Sequence, residues 1–160
     1  MQLAPTLTAF KLGLIPNWVA KERTLTHFFG GEPEARFRQR GAAYARQRLP
    51  QVIRPSALQK IKEFKEQQAT VFVVSASAEG WIYSWCESLG LHLLATRLEV
   101  KQGKITGKIE GKNCYGPEKV RRIREAIQLE AYEKTYAYGD SRGDREMLSL
   151  AHYPHYRHFK

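Results

Sequence analysis

The 160-residue chain holds two aspartates, Asp140 and Asp144, both in the run Ala137-Tyr138-Gly139-Asp140-Ser141-Arg142-Gly143-Asp144. This run continues the apolar-alternating stretch Thr135 to Tyr138, so it reads as a strand that ends in Gly-Asp and turns at once into a helix. Such a turn delivers carboxylates to the carboxyl edge of an open α/β sheet, where these sheets bind ligands. Metal or phosphate chemistry is the expectation. Ser75 follows a buried-type strand, and Lys119 lies in the first turn of a helix opened by Pro117. In a parallel sheet Ser75, Lys119, Asp140 and Asp144 would converge on one edge. A hydroxyl and an ammonium at a helix start can hold phosphate oxygens, with the helix dipole adding to the attraction. A carboxylate there can bind Mg²⁺, which takes one or two carboxylates plus substrate oxygens and waters. Metal, lysine and hydroxyl together would neutralise a phosphoryl group in its transition state.

The elements that must position these groups change character along the chain. The first third reads as helices. Asn17 is placed to cap one running through Trp18, Leu25, Phe28 and Phe29 up to Gly30-Gly31. Pro33 suits the first turn of the next, which carries Phe37 and Tyr44 on one side up to Leu49-Pro50, and Ser56 precedes a third stripe of Leu58, Ile61 and Phe64. These stripes read as packing faces. From Thr70 to Val74 a continuous β-branched and apolar run predicts a strand covered on both faces. A helix carrying Trp81, Ile82, Trp85 and Leu89 and a second strand over Leu91 to Leu98 complete a β-α-β unit. Val100 to Ile109 reads as a hairpin turned at Gly103; then come the Pro117 helix, the Thr135 strand and a last helix around Met147 to Leu150.

Composition narrows the class. An apolar content of 42% supports folding, and one domain is the natural size for this length. The opening residues Met1 to Pro5 lack the basic segment of a secretion signal and no apolar run is long enough to span a membrane, so a cytoplasmic location is expected. Cys86 and Cys114 read as two idle thiols. The net charge of +10 would attract polyanions, which makes a nucleic-acid-binding module one alternative. The basic stretches Arg36 to Arg54 and Lys119 to Arg124 show neither the stacking aromatics nor the finger spacing of such modules and read as solvated helix faces. His152, His155 and His158 are spaced for a helical metal site, but Pro154 interrupts them and a polar tail is expected.

The order of a hydrophobic strand to Ser75, then Gly116-Pro117-Glu118-Lys119, then Tyr138-Gly139-Asp140-Ser141-Arg142-Gly143-Asp144 resembles motifs two, three and four of the haloacid dehalogenase superfamily. The subfamily it resembles is IB, the phosphoserine-phosphatase-like branch. The resemblance implies an α/β fold in which residues 1–54 form an α-helical cap and 55–160 a Rossmannoid parallel-sheet core. It implies Mg²⁺-dependent hydrolysis of a small phosphorylated metabolite through an aspartyl-phosphate. Ser75 and Lys119 would grip the phosphoryl group, Asp140 would ligate Mg²⁺, and Asp144 would orient the metal's water or Lys119. The family's first motif, an Asp-x-Asp pair on a central opening strand, has no counterpart, since no aspartate precedes Asp140. Glu22, Glu32 and Glu34 lie in helix-like contexts and do not replace it. The chain therefore reads as a phosphatase core without its first strand and without turnover of its own, the alternative being a noncatalytic phosphate-binding or regulatory relative.

Overall fold

The computed structural model describes residues 3–159. Five helices come first: α1 (Leu3–Lys11), α2 (Asn17–Phe29), α3 (Glu34–Gln47), the one-turn α4 (Leu49–Val52) and α5 (Pro55–Glu66). Then β1 (Phe72–Ala78), α6 (Glu79–Ser88) and β2 (His92–Thr96) form a right-sized β-α-β unit, followed by the hairpin of β3 (Leu98–Lys101) and β4 (Lys104–Ile109). Next come α7 (Pro117–Ala126), β5 (Tyr136–Gly139), the short α8 (Arg145–Leu148) and β6 (Tyr153–Tyr156). Among the described residues no helix is long and apolar enough to cross a membrane.

The strands pair in twos. β1 runs parallel to β2 in a regular register from Phe72 opposite His92 to Ser75 opposite Ala95, then breaks before Ala78 opposite Thr96. β5 runs parallel to β6, and β3 is antiparallel to β4 across Gln102 and Gly103, both at positive φ as a tight hairpin turn requires. Among the described residues no ladder joins β1 to β5. β1 is accordingly only half-buried from Phe72 to Ser75, not covered on both faces as its apolar run predicts. Its pairing also carries the strand past Ser75, which lies inside β1 at the last regular position.

Phe37, Ala78, Leu98 and Ile105 form the buried centre, with Leu25, Phe29 and Trp81 packed around it. The rings of Phe29, Phe37 and Trp81 meet edge to face at centroid distances of 5.2 to 5.9 Å, an arrangement that the ring quadrupole favours. The helical third is thereby fastened to α6 and the hairpin. Trp18 and Phe28, expected on the same packing stripe, are instead at least half exposed. Asn17 makes no cap bond; the extended Pro16 holds the N-cap position and Asn17 is already helical. Pro55, one residue before Ser56, opens α5 as a first-turn proline. The expected strand from Leu91 to Leu98 divides at Arg97, so that Leu98 starts the hairpin.

Besides the one-turn α4, two elements escape the sequence reading. Leu3 to Lys11 is helical, and the supposed polar tail is β6. Pro154 is tolerated because among the described residues β6 pairs on one side only, where a missing N–H costs least. Tyr136 stacks on Tyr153 at 4.7 Å and Tyr138 on His155 at 4.6 Å, so cross-strand aromatic contacts hold a segment whose own pattern is polar. His152 bonds to Thr135, apart from His155 and His158, whose rings meet edge to face at 4.9 Å beside Tyr138. Among the described residues no three histidine, cysteine, aspartate or glutamate side chains gather as a metal cluster.

Candidate functional site

Lys119 is the hinge of the site. Gly116 and Pro117 start α7, which places Lys119 in its first turn and sends its side chain toward β1. There the ammonium donates to Val74 O at 2.6 Å and to Asp144 Oδ1 at 2.6 Å, with both side chains at most one-tenth exposed. The bond spans from the α7 helix to the strand before Ser75 and to the turn after β5. It joins two pairs of strands that share no ladder.

Asp144 is saturated on its other oxygen. Oδ2 accepts from Ser141 N at 2.9 Å, Ser141 Oγ at 2.6 Å and Asp140 N at 3.3 Å, which closes the turn as a capping box. Burial alone would raise the Asp144 carboxyl, but the bonds from Lys119 and Ser141 outweigh it and hold the group below the ordinary aspartate range. Gly139 makes this approach possible. A Cβ there would sit 2.5 Å from Asp144 Cβ, closer than atoms can come.

Asp140 is different. Its carboxylate is 63% exposed, and Arg54 lies 3.7 Å from it while donating to Phe159 O. A cavity of about 460 Å³ opens here, lined by Val74, Ser75 and Ala76 of β1, by Lys119, and by Gly139, Asp140, Ser141 and Asp144. Ser75 Oγ accepts the Ser77 N–H at 3.0 Å, which leaves its own proton free to donate. The four residues singled out from sequence thus line one cavity. Glu22 lies elsewhere, accepting the Ile109 N–H at 2.8 Å, and Glu32 and Glu34 pair with Arg36, Arg38 and Arg40. Glu32 sits between α2 and α3 rather than within a helix.

Arg54, Tyr115 and Phe159 also line the cavity without any signal in the sequence, and His158, whose spacing suggests a helical metal ligand, lines it as well. Arg54 sits in a basic stretch, and Phe159 and His158 belong to the segment taken for a tail. Around the base, Arg122 binds Glu118 at 2.9 Å, Lys112 O at 2.9 Å and Ala95 O, fixing the approach to α7. Arg121, burial and Arg122 act together on Glu118, and the two guanidiniums win, drawing its carboxyl down to about 2. Cys86 and Cys114 are both buried and unpaired, and burial pushes the Cys86 thiol up to about 11.

Comparison with known proteins agrees with this architecture. A family model for haloacid dehalogenase-like hydrolases matches residues 1–149. Protein CicA of Caulobacter vibrioides is 33% identical over 162 residues, covering all of this chain and 72% of CicA. A phosphoserine phosphatase of Methanocaldococcus jannaschii is 39% identical over 102 residues, 59% of this chain and 46% of that protein. Among solved structures, a Bordetella pertussis Tohama I protein of unknown function superposes with a TM-score of 0.81 at 19% identity, covering 92% of this chain and 69% of the other.

Proposed function

The chain belongs to the haloacid dehalogenase-like hydrolase family, and from that membership we propose that it carries the phosphate-gripping and metal-holding part of a Mg²⁺-dependent phosphatase for a small phosphate monoester. The observation that carries this reading is the Lys119 ammonium. Two of its three protons are spent on Val74 O and Asp144, each at 2.6 Å, and the third remains for an oxygen in the cavity beside Ser75. Ser75 Oγ supplies a second donor to the phosphoryl group. Asp144 keeps Lys119 charged and aimed, and it is a positioning group because both of its oxygens are already engaged.

Asp140 is the residue that would hold Mg²⁺. A single exposed carboxylate on a roomy cavity fits that ion, which fills its remaining positions with waters and phosphate oxygens, better than it fits zinc, which wants a closed set of nitrogen and sulfur ligands. When bound, Mg²⁺ supplies charge neutralisation at the transferring phosphoryl group. Residues 1–54 are read as the cap over this site and 55–160 as the core that bears it. The similarity to phosphoserine phosphatases supports a small phosphate monoester as the substrate class.

In-line attack requires one more carboxylate. Asp144 is engaged, Asp140 is assigned to the metal, and the sequence contains no third aspartate. We assign the nucleophile to an Asp-x-Asp strand outside these 160 residues, lying between β1 and β5, whose facing sides have no ladder partner among the described residues. The 160-residue chain is then expected to show no hydrolysis of an aryl phosphate with Mg²⁺. Extension by such a strand should give turnover that disappears in Asp140→Asn. Turnover by the 160-residue chain that Asp140→Asn abolishes would overturn this assignment. An extended chain that binds phosphate and stays inactive would favour the noncatalytic, phosphate-binding alternative.

A further inference from the structure

Lys21 of α2 reaches across to the strand that carries Ser75. Its ammonium donates to Ala76 O and to Asn113 Oδ1, the latter at 2.8 Å. Both acceptors belong to a buried knot. The fully buried Thr96 hydroxyl lies 3.0 Å from each of them and accepts the Cys114 N–H at 3.1 Å. Ala76 is the residue after Ser75, at the point where β1 leaves its regular register with β2, and it lines the cavity. Val74 O and Ala76 O, the carbonyls on either side of Ser75, are therefore both held by lysines, one from α7 and one from α2.

Packing does not account for a cation here. Burial opposes the charged amine and draws it down to about 8, with the Cys114 thiol acting upward and Arg122 downward. A methionine would fill the same space without that cost. What methionine cannot do is bond two oxygens at once.

We propose that Lys21 is a positioning residue: it ties the N-terminal helices to the irregular end of β1 and so fixes Ser75 for phosphate. The proposal rests on the phosphate-site reading above, and the test separates the two. Amide exchange of the 160-residue chain is measured residue by residue, and inorganic phosphate is titrated with Mg²⁺ by ³¹P NMR. Lys21→Met should speed exchange over Ser75–Ala78 about tenfold, leave Tyr136–Gly139 unchanged, and weaken phosphate binding about three- to tenfold, the scale of one lost hydrogen bond. Lys21→Arg, which keeps the donors, should return both quantities to within about twofold of wild type. Asn113→Ala removes the second acceptor and should loosen the same amides, which serves if the methionine variant does not fold. Unchanged exchange over Ser75–Ala78, an equal rise throughout the chain, or no rescue by arginine would overturn the proposal. A wild-type chain that binds no phosphate would sink the functional reading and leave Lys21 to be judged by exchange alone.

Discussion

In the proposed site, Lys119 and Asp144 form a buried pair at which stability and phosphate binding would meet. A buried ion pair gains little over an apolar pair of equal volume, but removing one partner strands the other in a low-dielectric site at a cost of about 3–5 kcal/mol. Asp144→Asn should lower the unfolding free energy by roughly that amount in urea titration, and retention of wild-type stability would mean that the ammonium finds another partner. The sign of the pH dependence follows. Asp144 has a lowered folded-state pKa, so its contribution is fully present above the ordinary aspartate value of about 3.9 and is lost as pH falls through the folded value. Wild type should therefore lose stability below about pH 4 more steeply than Asp144→Asn, as melting temperature against pH would reveal. Gly139→Ala tests the same contact from the other side. Its Cβ would sit 2.5 Å from that of Asp144, so the turn must shift; a large stability loss is expected by denaturant titration, together with loss of phosphate affinity.

At the scale of elements, what was legible from the sequence was what local periodicity encodes. Helix α6 between β1 and β2, the hairpin at Gly103 and the Pro117 start of α7 all follow from spacing and turn chemistry. Strand β6 did not, because Tyr153-Pro154-His155-Tyr156 lacks a strand's apolar signature and gains its place from stacking on Tyr136 and Tyr138. Lys21 and Arg54 were also out of reach, since their partners Ala76 and Phe159 lie 55 and 105 positions away. Of the four candidate site residues, Lys119 was readable from the Pro117 helix start and Asp140 and Asp144 from the turn after β5, whereas Ser75, read as following its strand, lies inside β1. The unjoined sides of β1 and β5 have a consequence of their own: open strand edges invite pairing between molecules. The purified 160-residue chain should self-associate on a sizing column with light scattering, and a strictly monomeric chain at high concentration would show that those edges are protected. Truncating Phe37, the most buried ring of the central cluster, should cost about 3–5 kcal/mol and detach the N-terminal helices from α6.

For the whole molecule the question is what a charge of +10 does. Much of it is locally answered: Arg36, Arg38 and Arg40 face Glu32 and Glu34, and Arg121 and Arg122 face Glu118 and Glu125. Contact of the remaining cations with a polyanion would be governed by counterion release, so any oligonucleotide binding should fall steeply with salt. Phosphate held in the cavity by bonds from Ser75 and Lys119 would depend on salt far less. The two modes are distinguished most directly by locating an oxyanion. Crystals of the chain soaked with tungstate and Mg²⁺ should show an anomalous peak within hydrogen-bonding reach of Ser75 Oγ and Lys119 Nζ, absent in crystals of Lys119→Met. Tungstate bound only along the arginine faces of α3 or α7, with none in the cavity between β1 and β5, would contradict the account.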